Sequence, residues 1–313
     1  MSIFTENLDS LKKIIEDDTN RKKTITSIAK NIVFSGNLNK KFDELLTDAE
    51  ENPEDPEKWN RLGAFAYQKG KFPKALLYFH RAIKQSPNNY DYWNNLGLTY
   101  YKQEKISQAI KALKKALSLD KSRSGAWFNL CNCYRELGNI SQQKVCWEKI
   151  LELEPTNSYA IFGLAQVHDR KCEHSKAIEL YEKFLEYEPE FFIAWHNLGW
   201  NYDEIGNVDK AIECYEKCLE YHDKNNRALL CLARAYAKKE RYMDTMMCFT
   251  KFVRYYPNQP EGWYELARIQ AYLGLFQTAQ KTLLRCLDIT KEYYLIALKD
   301  PFLSPLLIMD FHE

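Results

Sequence analysis

A bulky apolar residue recurs every 34 residues, at Trp59, Trp93, Trp127, Ile161, Trp195, Leu229 and Trp263, with no insertion between copies. A strict period of this length restricts the fold severely, because each copy is one supersecondary unit that buries its apolar face only by stacking on its neighbours. Three residues past each anchor stands Leu62, Leu96, Leu130, Leu164, Leu198, Leu232 or Leu266. The next residue is always small: Gly63, Gly97, Cys131, Ala165, Gly199, Ala233 and Ala267. Sixteen past the anchor, alanine fills five of seven copies, Gln143 and Thr245 being the exceptions.

At about 100° per residue, the anchor, the leucine and the residue seven past the anchor (Tyr100 in WNNLGLTYYK) share one helical face. The small residue lies at the edge of that face, where two helices approach closely and a larger side chain would part them. Gly70, Gly138, Gly206 and Gly274 fall eleven past their anchors, where glycine allows the left-handed conformation that ends a helix. Pro87, Pro155, Pro189 and Pro257 fall 28 past theirs and mark the end of a second helix. Each period therefore reads as helix, tight turn, helix.

Over residues 56–293 this pattern of Trp, Leu-Gly, Tyr, Ala, aromatic and Pro resembles the tetratricopeptide repeat in seven tandem copies. The resemblance implies an all-α chain, a right-handed α-solenoid superhelix of helix-turn-helix units, whose first helices line a concave groove. It also implies a non-catalytic scaffold or adaptor that binds an extended peptide or partner protein there. Residues 22–55 repeat the register through Ile25, Ile28, Ala29, Ile32, Gly36 and Leu45, with Lys41 in place of alanine, and read as a degenerate copy. Residues 1–21 carry Leu8, Leu11, Ile14 and Ile15 on one face of a short helix expected to cap the array. Residues 294–313 are apolar where a solvated tail would be polar, and are expected to form a capping helix begun at Asp300 and Pro301. The alternative for this segment is a contact between copies, which would make the chain a structural subunit of an oligomer or larger complex.

The family's best-known site, a dicarboxylate clamp for acidic chain ends, would need polar or basic residues where Ala64 and Gly125 stand, so no such clamp is expected. Certain members grip peptide backbone with a ladder of asparagines. Asn95, Asn129 and Asn197 match that position, interrupted by Gly163. Helical angle adds Tyr101, Phe128, Arg135, Phe162, Arg170, His196, Trp200, Arg227, Arg234, Tyr264 and Arg268 to the expected groove lining. Aromatic residues and arginine are the usual anchors of an interface. Arg227, Arg234, Lys238 and Arg268 would concentrate positive charge at one end and suit an acidic ligand.

Lys and Arg number 44 against 43 Asp and Glu, so the chain as a whole projects no field towards nucleic acid or an anionic membrane, and neither is expected as a partner. No apolar run approaches the roughly 20 residues that span a bilayer. The nine scattered cysteines and the absence of a secretory pattern in MSIFTENLDS point to the cytoplasm. Phosphate loops, dinucleotide fingerprints, C-x-x-C and H-E-x-x-H motifs are missing, so neither cofactor, metal nor catalytic site is expected. VHDRKCEH gathers His168, Asp169, Cys172 and His174, but the repeat register points them in different directions.

Overall fold

The computed structural model describes residues 38–308; the expected cap over 1–21, the first half of the degenerate copy and residues 309–313 of the expected C-terminal helix lie outside the described residues. Among the described residues every regular element is a helix. They are α1 Leu38–Glu51, α2 Pro56–Gln68, α3 Phe72–Gln85, α4 Tyr90–Lys102, α5 Ile106–Leu119, α6 Ser124–Glu136, α7 Ile140–Leu153 and α8 Ser158–Arg170. They continue with α9 His174–Tyr187, α10 Phe192–Glu204, α11 Val208–Tyr221, α12 Asn226–Lys238, α13 Tyr242–Tyr255, α14 Pro260–Tyr272, α15 Phe276–Ile289 and α16 Glu292–Ala297. The fold is an all-α solenoid of helix-turn-helix units. The chain divides into two compact units, one ending at Val167 and the other beginning at His168. Pairs α2/α3, α4/α5 and α6/α7 pack in the first; α10/α11, α12/α13 and α14/α15 pack in the second.

Local chemistry starts and stops these helices. Asp55 caps α2 through the Glu57 amide at 3.0 Å, with Pro56 preset in the first turn, and Asn89 caps α4 through the Asp91 amide at 2.8 Å. Among the described residues every first helix ends in one hydrogen-bond pattern, the amide twelve past the anchor returning to the carbonyl seven past it. Lys71 to Ala66, Asn207 to Tyr202 and Leu275 to Gln270, all at 2.9 Å, are examples. That bond closes only if the intervening residue turns left-handed. Gly70, Gly138, Gly206 and Gly274 do so, and so do Glu104, Cys172 and Glu240 at the equivalent positions, with φ of 60°, 56° and 59°.

Packing within a pair follows the recurring volumes. A Cβ added at Gly63 would lie 2.7 Å from the Phe79 ring, at Gly97 2.7 Å from Leu113, and at Gly199 2.8 Å from Tyr215. The small residue on the first helix thus meets a large one twenty past the anchor on the second. Ala75, Ala109, Ala211 and Ala279 are wholly buried. Gln143 and Thr245, which replace alanine, turn their polar groups onto first-helix carbonyls of Tyr134 and Ala233. The tryptophan anchors do more than fill space. The indole N–H of Trp59, Trp93, Trp195 and Trp263 donates to the carbonyl of the proline six residues before it, at 2.7–2.9 Å, and that of Trp127 to Lys121 at 3.1 Å. Each ties a helix to the loop that delivers it.

The C-terminal segment is not one helix. α16 stops at Ala297, and a 3₁₀ turn, Pro305–Leu307, follows after a series of turns. Pro301 and Pro305 lack the N–H groups a continuous helix would need. Asp300, expected to start the helix, instead caps a turn through the amides of Phe302 (2.9 Å) and Leu303 (3.3 Å). Ala297, Leu303 and Leu306 bury against α14 and α15, and Gln280 Nε2 donates to the Leu306 carbonyl at 2.8 Å.

Candidate partner-binding surface

First helices are covered on two flanks, by their own second helix and by the next first helix: α2 touches α4, α4 touches α6, and α10 touches α12. The residue one past an anchor enters that second contact and meets the residue two past the next anchor. Asn95 Nδ2 donates to Asn60 Oδ1 at 3.0 Å, and Asn129 Nδ2 to Asn94 Oδ1 at 3.1 Å. Asn197 Nδ2 donates to the Tyr181 hydroxyl at 3.2 Å. The amide nitrogens of all three asparagines therefore join helices of the array.

This second flank corrects the expected lining at three positions. Asn95 is 1% exposed, Phe162 1% and Tyr264 8%. Helical angle alone assigns one buried face per helix, and these side chains lie on the other. Tyr264 sends its hydroxyl to Asp300 Oδ2 at 3.1 Å and sets its ring 5.1 Å from Tyr293. Phe128 is half-buried, its ring 5.8 Å edge-on from Trp147. His196 is also half-buried, with Nδ1 3.3 Å from Asn197 Oδ1 and its ring 5.9 Å from Tyr215. Burial lowers its pKa, the bond to Asn197 opposes that, and Arg227 adds to the lowering.

Other expected residues remain accessible. Tyr101 donates its hydroxyl to Glu136 Oε1 at 3.1 Å, close to half-exposed Arg135. Arg170 and Arg227 are partly exposed. Five past the anchor, three successive copies of the second unit present Trp200, Arg234 and Arg268, the Trp half-buried with His174 edge-on at 5.6 Å and both arginines exposed. The positive charge expected near them is largely paired: Arg234 with Glu261 at 3.0 Å, Lys238 with Asp203 at 2.6 Å, and Arg268 with Asp300 at 3.0 Å. The surface is thus mixed in charge rather than basic, which corrects its expected preference for an acidic ligand.

Neighbouring polar groups serve structure. His168 Nδ1 donates to Glu173 at 2.8 Å, and hydrogen bonds from Lys176 and His168 hold the Glu173 carboxyl at about 2. Asn201 gives Nδ2 to Asp169 at 3.0 Å and to the Asn197 carbonyl, so its Oδ1 accepts from His174 Nδ1 at 2.9 Å. Burial raises the Asp169 pKa against that bond. Cys172 is exposed at the left-handed turn. Among the described residues no three His, Cys, Asp or Glu side chains converge to hold a metal ion, and no helix is long and apolar enough to cross a membrane.

Known proteins point the same way as the geometry. Models described as tetratricopeptide repeat match residues 90–122, 124–157, 192–225 and 260–293, and one described as TPR repeat matches 63–104. Among solved structures, the C-terminal part of a TPR repeat-containing protein from Cytophaga hutchinsonii is 16% identical with a TM-score of 0.66, over 78% of this chain and 98% of that one. A crystal structure of MamA protein is 28% identical with a TM-score of 0.51, over 55% of this chain and 94% of that one. YrrB, described as a TPR protein with an unusual peptide-binding site, is 19% identical with a TM-score of 0.55, over 62% and 97%. No curated protein matches.

Proposed function

The chain belongs to the tetratricopeptide repeat family, and from that premise we propose that it is a non-catalytic scaffold whose first helices hold an extended peptide or partner protein. The row of Trp200, Arg234 and Arg268 carries this reading. Both arginines are exposed and Trp200 is only half-buried, and they are the residue types that dominate interface energies. YrrB's described peptide-binding site gives the reading a parallel on the same fold. A mixed charge pattern suits a partner that alternates polar and apolar side chains better than a uniformly acidic one.

The test uses a random phage-displayed peptide library panned on the immobilised chain. Selected peptides should lose about tenfold or more in affinity towards a Trp200→Ala, Arg234→Ala double variant, because each removes an anchor residue. In the Arg234→Ala single variant the melting temperature should hardly move while affinity still falls, since the Arg234–Glu261 pair is exposed and such pairs contribute about 0–1 kcal/mol. Undiminished affinity would overturn the assignment of this face. The alternative, joining of copies through the C-terminal segment, rests on Leu295, which is 67% exposed, with Ile296 and Leu298 beside it.

A further inference from the structure

The near-neutral charge of the whole chain hides a separation along it. Residues 69–123 hold twelve Lys and Arg against three Asp and Glu, whereas residues 173–223 hold thirteen Asp and Glu against four Lys. Both stretches place much of their excess on the outer, exposed face of second helices, where Lys84, Lys111 and Lys114 share repeat positions with glutamates of the other unit. In the first unit, α3 presents Lys74, Arg81 and Lys84 and α5 presents Lys111, Lys114 and Lys115, all exposed and with no acidic residue interleaved on that face. None of the six forms an ion pair among the described residues. Arg81 lies over the Trp59 ring at 4.4 Å, which supports its stem and leaves its charge outward.

In the second unit the corresponding face carries six glutamates against four lysines, Lys176, Lys183, Lys210 and Lys217, so that its net charge is negative. Glu179, Glu182 and Glu186 of α9 and Glu213, Glu216 and Glu220 of α11 stand at the three positions that Leu77, His80, Lys84, Lys111, Lys114 and Ser118 occupy in α3 and α5. Five of these glutamates, with Lys210 and Lys217 between them, rim an open groove of about 970 Å³ whose floor is apolar: Leu185, Trp195, Leu198 and Cys214. Tyr202 and Tyr236 donate to Glu182 and Glu216, and Lys217 pairs with Glu220 at 2.8 Å. Glu179, Glu186 and Glu213 form no ion pair among the described residues. A groove with an apolar floor and acidic rim suits long basic side chains, whose methylene stems cover the floor while their charges reach the carboxylates.

We propose that the basic outer face of α3 and α5 in one copy docks on the acidic groove between α9 and α11 of a second copy. The occupant follows from complementarity, because the chain itself carries both members of the pair on equivalent helical faces. Such a contact joins unlike surfaces, so it either closes as a two-fold pair made twice or continues as a chain of copies. It leaves the first-helix surface free for the partner proposed above and does not depend on it.

Sedimentation velocity of the full chain tests this. The chain should self-associate at about 20 mM salt, and raising salt to about 500 mM should weaken association about tenfold or more, since the screening length then shortens below the reach of opposed side chains. Lys111→Glu, Lys114→Glu, Lys115→Glu should be monomeric at low salt, and so should Glu179→Lys, Glu186→Lys, Glu213→Lys. Mixed together, the two variants should associate again, because each supplies the face the other has lost. A wild-type monomer at low salt, or association that both reversals leave intact, would overturn the proposal. So would association that persists at high salt and disappears with Leu295→Glu, which would locate the contact in the C-terminal segment. A short DNA duplex that binds the basic face of a chain remaining monomeric without it would also overturn the self-contact, in favour of a polyanion.

Discussion

At Gly163 a Cβ would lie 2.3 Å from the Trp147 ring. Trp147 stands twenty past its anchor, where other second helices carry Phe79, Leu113, Tyr181 or Tyr215, and being larger it reaches the next first helix. The asparagine series therefore stops at Gly163 for a steric reason, while Asn197 finds the shorter Tyr181 and bonds to its hydroxyl. Gly163→Ala should cost about 1–3 kcal/mol through overpacking. In the background of Trp147→Leu the same change should cost far less, so a double-mutant cycle by urea denaturation should return a coupling of about 0.5–3 kcal/mol. Additive effects would contradict the pairing. The sequence shows both residues, but their contact crosses from one repeat to the next, and the period of a helix says nothing about neighbours 16 residues apart on different elements. The same blindness misplaced Asn95, Phe162 and Tyr264, which a second covered flank removes from the surface.

Among elements, the tight turn is the most constrained. Its 12-to-7 hydrogen bond forms in all seven copies over 56–293, and the left-handed residue it demands is glycine in four and Glu104, Cys172 or Glu240 in three. A side chain in that conformation costs roughly 1–2 kcal/mol, partly offset by the extra chain entropy glycine would lose on folding, about 0.5–1 kcal/mol. Glu104→Gly and Glu240→Gly should therefore each stabilise the chain by roughly 0.5–1 kcal/mol, seen as a higher urea midpoint at unchanged slope. A lower midpoint would contradict the strained-turn account. Helix-turn-helix order was readable from Gly70, Gly138, Gly206 and Gly274 with the proline spacing, because a turn's chemistry is local. The C-terminal segment was less readable: its apolar content announced burial, and Ala297, Leu303 and Leu306 provide it, but Pro301 and Pro305 divide it into turns.

For the whole molecule, repetition separates two tasks. Residues that recur in volume, such as Leu62, Ala75 and Leu96, make the solenoid, and the partner choice proposed above falls to residues that vary at exposed positions of the first helices. The first set could be read from spacing because close packing penalises any departure from the required volume. The second set could only be narrowed, since exposure depends on how helices cover one another and charge depends on partners from other repeats, as Arg234 with Glu261 and Arg268 with Asp300 show. Hydroxyl-radical footprinting of the chain with a library-selected peptide tests the central claim most directly. Bound peptide should protect Trp200 on its first helix while exposed Met243 and Met247 on the outer face of α13 keep their reactivity. Protection confined to Met243 and Met247, with Trp200 unchanged, would contradict it.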